Sequence, residues 1–111
     1  MTTDVKPVPK ISVVVPCYNG GKFLDQLLTS LARQTFRDFD ILIVDDGSTE
    51  LATKAKLATL DPSIRVVHQE NRGLSAARNT GFAHARADLV FAIDCDDQIE
   101  PTYLDECLGG L

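Results

Sequence analysis

Four short apolar runs constrain this chain more than anything else in it. They are ISVVVPC (Ile11–Cys17), DILIVD (40–45), IRVVHQ (64–69) and LVFAID (89–94). Each is rich in β-branched residues and closed by turn formers, the signature of a buried strand. Between them lie stretches with helical spacing. Residues 22–34 carry Phe23, Leu27, Leu28 and Leu31 on one face. Residues 51–60 carry Leu51, Ala55 and Ala58, and residues 74–85 carry Leu74, Ala77, Gly81, Phe82 and Ala85. Pro101 suits the first turn of a final helix holding Tyr103, Leu104, Cys107 and Leu108. Near-continuous apolar strands alternating with amphipathic helices require a mostly parallel sheet covered on both faces. The expected class is α/β, a Rossmann-like three-layer α/β/α fold.

At 111 residues the chain is one domain, able to bury roughly 65% of its unfolded surface without disulfides. Residues 1–10, with Pro7 and Pro9, read as a flexible tail and residues 11–111 as the domain. A net charge of −5 argues against a nucleic-acid binder. No run reaches the roughly 18 apolar residues of a membrane span, and the opening residues lack a signal-peptide core. Three cysteines without CxxC spacing argue against a disulfide framework or zinc site and make a cytoplasmic location the simplest. An unfinished sheet edge would invite homo-oligomers.

Ligands of open parallel sheets bind beyond the carboxyl ends of the strands. Those ends deliver Pro16-Cys17-Tyr18-Asn19, Asp45-Asp46-Gly47-Ser48, Glu70-Asn71-Arg72-Gly73 and Asp94-Cys95-Asp96-Asp97. Two charges about 4 Å apart repel by roughly 4 kcal/mol at an effective dielectric near 20. Asp94, Asp96 and Asp97 are therefore comfortable only in open water or around a cation. If the strand pleat persists, Asp94 and Asp96 point the same way. With a diphosphate they would make an oxygen-rich site for Mg²⁺ or Mn²⁺. The competing reading is a solvated acidic loop capping the last helix. Gly47 supplies a turn, and Ser48 or Thr49 a helix cap. Neither explains two adjacent acids closing an apolar strand, and Asp45 or Asp46 could accept the imide N–H of uracil. Tyr18 offers a face for a base to stack on, or is a half-buried tyrosine beside a turn asparagine. Arg78 could face phosphate, pair with an aspartate, or stand exposed on its helix. Asn71 and Gly73 are turn formers first. His68 and His84 have no ligand partner at useful spacing, and Cys17 and Cys95 read as small buried fillers. Neither a GxGxxG nor a Walker loop is present, which weighs against NAD dehydrogenases and P-loop NTPases.

Five segments in order resemble the N-terminal, nucleotide-binding half of a family 2 glycosyltransferase with the GT-A fold. They are ISVVVPCYNG with its P-x-Y-N turn, SLARQTFRDF, IVDDGST, NRGLSAARNTG, and IDCDDQIEP with its D-x-D pair. The resemblance implies that Tyr18 and Asp46 contact the base, with Pro16 and Asn19 shaping the turn. It implies a nucleotide-sugar donor, with uridine favoured and dTDP or GDP open, and an unidentified acceptor. Asp94 and Asp96 match the D-x-D pair, Asp96 as the direct ligand of Mg²⁺ or Mn²⁺, with Asp97 an outer acid. The metal would neutralise charge on the departing nucleoside diphosphate. The resemblance also implies inversion at the anomeric centre by a carboxylate base. That base is expected beyond Leu111, and Glu100 is too near the metal segment to substitute. The chain is then either a fragment of a longer enzyme, inactive alone, or a non-catalytic nucleotide- and metal-binding module. FAIDCDDQ faintly resembles the D-x-D of haloacid-dehalogenase phosphatases, but those place it on the first strand. A response-regulator receiver would carry its acids after strands one and three, where here they follow two and four.

Overall fold

The structure is a computed structural model and describes residues 8–110, so residues 1–7 of the expected tail and Leu111 lie outside it. The strands are β1 (Ile11–Cys17), β2 (Phe39–Asp46), β3 (Arg65–Gln69) and β4 (Leu89–Ala92). They alternate with helices α1 (Gly21–Ala32), α2 (Leu51–Ala58), α3 (Leu74–His84) and α4 (Tyr103–Gly109). All strand pairs are parallel and the order is β3-β2-β1-β4. The expected α/β class holds, with helices on both faces.

Every residue of β1 is buried: like β2 it has a neighbour on each edge, and helices pack on both of its faces. Side chains alternate across the pleat. Ile11, Val13, Val15 and Cys17 face one layer with Leu24, Leu27 and Leu31 of α1, Leu57 of α2 and Leu104 of α4. Val14 faces the other with Leu42, Val44 and Ala77 of α3. Each buried leucine or valine contributes roughly 1.5–3 kcal/mol relative to exposure.

Two helix faces differ from expectation. On α2, Leu51 is 83% exposed and Ala55 and Ala58 are also exposed, while Thr53 and Leu57 are buried. Thr53 takes the inward place because its hydroxyl accepts the Gly21 N–H (3.1 Å), a first-turn donor of α1 with no partner in its own helix. On α3, Leu74 and Phe82 are largely exposed, and Ala77 and Gly81 make the contact. The helix lies so close to the sheet that only small residues fit there. A Cβ on Gly81 would overlap Cγ1 of Val14 and stand 3.0 Å from its Cγ2. Boundaries moved by one or two residues in every element but β1, and two of the shifts flank the acidic residues Asp94, Asp96 and Asp97. The fourth strand stops at Ala92, two residues before Asp94, and Pro101 sits in the turn before α4, whose N-cap is Thr102.

Gln34, 2% exposed, braces the fold from α1 to α4. Its Nε2 donates to the Glu100 carbonyl (2.7 Å) and its Oε1 accepts the Leu104 N–H (3.0 Å).

Helix propensity alone would make Gly81→Ala stabilising by about 1 kcal/mol. The approach to Val14 reverses the sign. We expect a net loss of about 1–3 kcal/mol, read from the urea midpoint at unchanged m-value.

Candidate functional site

From β1 the chain moves to β2 and β3 on one side, and β4 then returns to the other edge of β1. The order therefore reverses between β1 and β4, and in open parallel sheets ligands bind at such a switch point, beyond the carboxyl ends of the strands. The register lines the strand ends up: Cys17 sits opposite Asp45, and Asp46 opposite Gln69.

Pro16, opposite Val44, is buried in the last paired turn of β1, and Tyr18 follows at the rim, 44% exposed. Asn19 has φ 51, a left-handed conformation that asparagine tolerates. Its Oδ1 accepts the N–H groups of Thr49 (2.8 Å) and Glu50 (3.0 Å), and its own N–H donates to Ser48 Oγ (2.9 Å). Asn19, reaching from β1, caps the approach to α2. The Ser48 or Thr49 cap expected from sequence is not formed, since the N-cap Glu50 has no side-chain cap bond.

The two strand-end acids are both buried and point to opposite faces. Asp45 Oδ1 accepts the Ser48 N–H (2.9 Å), and Oδ2 accepts Nδ1–H of His68 (2.9 Å). Asp46 is 1% exposed. Its Oδ1 accepts from Gln69 Nε2 (2.9 Å) and the Arg72 N–H (2.8 Å), and its Oδ2 from the Gly73 N–H (2.9 Å). Burial works to raise both carboxyls, but the bonds from Ser48 and His68 hold Asp45 below the usual carboxylate range. Those from Gln69, Arg72 and Gly73 do the same for Asp46. Asn71 Nδ2 donates to the Asp46 carbonyl (3.0 Å). Gly47 (φ 71) turns the chain so closely past this segment that a Cβ would stand 2.7 Å from the Asn71 nitrogen. Asp46 thus pins the 71–73 segment and the start of α3. A base reaching its carboxylate requires that segment to move aside.

After β4, Asp94, Asp96 and Asp97 are all exposed, and the half-buried Cys95 lies between them. The pleat does not continue to them, so strand alternation does not place Asp94 and Asp96. They lie in a turn closed by the Asp97 N–H on the Asp94 carbonyl (3.0 Å). Arg78, from α3, brings Nη2 to 3.7 Å from Asp94 Oδ1. Both side chains are more than a third exposed, so the pair adds little stability, and its effect is to place a cation beside the acidic turn. Among the described residues, no three His, Cys, Asp or Glu side chains converge as a ready metal nest. The donor set is nonetheless of the right kind: hard, exposed carboxylate oxygens suit Mg²⁺ or Mn²⁺ when a ligand brings further oxygens.

Sequence reasoning gave His68 no role, yet it holds Asp45, and it overlooked Gln69, which joins Asp46 to Thr80. The signal was available: in a parallel sheet the residues that end β3 stand beside those that end β2. A cavity of about 730 Å³, lined in part by Phe39, Ile64, Arg65 and Arg86, lies at the opposite end of the strands and takes in none of these residues.

The model of Glycosyl transferase family 2 matches residues 12–111. The Bacillus subtilis glycosyltransferase EpsH is 39% identical over 102 residues, 90% of this chain and 30% of EpsH. Staphylococcus aureus TarS 1-349 in complex with UDP-GlcNAc is 31% identical with a TM-score of 0.76, over 90% of this chain and 30% of that one. The mannosyltransferase PcManGT of Pyrobaculum calidifontis, in complex with GDP-Man and Mn²⁺, is 27% identical with a TM-score of 0.71, over 88% and 32%. The chain spans about a third of each of these proteins.

Because both strand-end acids titrate lower folded than unfolded, their stabilisation is complete well above the ordinary value of 3.8. It drains away as pH falls from there toward the lower folded values. Asp46→Asn turns an acceptor oxygen into a donor facing N–H groups. We expect it to cost about 2–3 kcal/mol at pH 7 and to flatten the loss of stability below pH ~4, both measured by urea unfolding across pH.

Proposed function

Because the chain belongs to Glycosyl transferase family 2, we propose that it forms the donor-binding part of an enzyme that moves a sugar from a nucleoside diphosphate to an acceptor. Residues 11–111 constitute the nucleotide-diphospho-sugar-binding domain. The observation that carries this reading is the reversal of strand order, with an exposed tyrosine after β1 and an exposed acidic turn after β4.

Each residue takes a task that its surroundings support. Tyr18 stacks on the base, and Pro16 and Asn19 fix the turn that presents it. Asp45, Asp46, Asn71 and Gly73 build the floor under the base, with Asp46 meeting the base edge when the 71–73 segment yields. Asp94 and Asp96 would hold Mg²⁺ or Mn²⁺, Asp96 as the direct ligand and Asp97 as an outer acid. When bound, that ion supplies charge neutralisation for the departing diphosphate. Arg78, already beside Asp94, adds a second cation for phosphate.

UDP-GlcNAc in TarS and GDP-Man with Mn²⁺ in PcManGT support a nucleoside diphosphate ligand and a divalent ion, and they span two bases. Uridine is our choice for this chain. Transfer would proceed with inversion. No residue here is assigned as the base that activates the acceptor, and none is assigned to the acceptor itself. The three free cysteines suit a reducing compartment, and we place the protein in the cytoplasm.

The decisive experiment is calorimetry of UDP with Mn²⁺. Binding should weaken at least tenfold with EDTA or in Asp96→Ala. Tyr18→Ala should weaken it roughly fivefold or more, the worth of about 1 kcal/mol of stacking. Equal affinity with and without metal would remove the acidic turn from the site.

A further inference from the structure

Two thiols meet at the switch point. β1 and β4 are in register with Val14 opposite Ala92, and the Ile93 N–H extends the ladder to the Val14 carbonyl (2.9 Å). Three residues further along each chain stand Cys17 and Cys95. Both pack into the same side of the core, and both sulfurs crowd the space above Gly20. Gly20 leaves the space they occupy: a Cβ there would overlap Cys95 Sγ and stand 3.5 Å from Cys17 Sγ.

We propose that Cys17 and Cys95 are a covalent modification site, closed to an intrachain disulfide by low-molecular-weight disulfides such as oxidised glutathione. Cys95 is half-buried and Cys17 fully buried, so the oxidant enters at Cys95. The Cys95 sulfur attacks the small disulfide, breaks its S–S bond and releases one thiol. The Cys17 sulfur then attacks Cys95 Sγ, breaks the mixed disulfide and releases the second thiol. The protein pair is oxidised by two electrons, the small disulfide is reduced, and the two protein protons end on the two released thiols. The bond ties the Tyr18 turn to the residue between Asp94 and Asp96. It thereby hinders the acidic turn from closing on a metal, a consequence that rests on the donor reading above.

The test uses the chain with Cys107→Ser, so that only the pair can react, equilibrated with oxidised glutathione. We expect a mass loss of two hydrogens, a 17–95 crosslinked peptide, reversal by dithiothreitol, and a melting temperature raised by at least about 5 °C. Cys17→Ser should instead retain glutathione on Cys95, and Cys95→Ser should stay unmodified. A folded chain whose two thiols both remain free, or whose Cys95 keeps glutathione while Cys17 is intact, would overturn the site. UDP with Mn²⁺ should bind the oxidised form at least threefold more weakly than the reduced one. Equal affinity would remove the gating consequence and leave the crosslink standing. Binding by neither form would count against the donor reading alone.

Discussion

The parallel register of β1 against its two neighbours is the constraint from which the rest follows. Seven consecutive residue pairs join β1 to β2 and four join it to β4. Parallel pairing aligns the strands' carboxyl ends, so four loops and the reversal in strand order are delivered to one rim. The cost is a central strand buried on both faces, which is why β1 has no exposed residue. Helices must cover both sides, and where α3 does so the approach to Val14 leaves room only for Ala77 and Gly81.

At that rim charge is used in two ways. Asp45 and Asp46 are taken out of water and given partners for their oxygens, so they build loops: Asp45 the turn at Ser48, Asp46 the entry to α3. A buried carboxylate is tolerable because its bonds to N–H donors outweigh desolvation. Asp94, Asp96 and Asp97 stay in water with a loose arginine partner on Asp94 and the Asp94 N–H on Asp97 Oδ2 (3.3 Å), available to a cation that arrives with its own oxygens. The division follows position. The first acids end a strand flanked on both sides, whereas the second group follows the edge strand β4, which stops short of them.

Much of the architecture was legible in the sequence because burial on both faces leaves unmistakable apolar runs, and Ile11–Cys17 was found to the residue. What was not legible came from contacts between distant segments. Periodicity put Leu51 inward on α2, but the hydrogen-bonding need of Gly21 put Thr53 there. Local capping rules gave the start of α2 to Ser48 or Thr49, but Asn19 serves it from thirty residues away. Of the site, the residue types at the strand ends were readable. The engagement of Asp46 by Gln69, Arg72 and Gly73 was not, because a carboxylate's partners are set by register and not by spacing along the chain.

The central claim is that a metal-bound nucleoside diphosphate sits at the switch point between β1 and β4. Paramagnetic broadening of backbone amide signals by Mn²⁺ in the presence of UDP tests it most directly. Signals from residues 94–97 and from Tyr18 and Asn19 should vanish together, while those of Phe39, Ile64 and Arg65 at the far end of the strands stay sharp. Broadening centred on the far end, or scattered over the acidic surface with and without UDP alike, would contradict it.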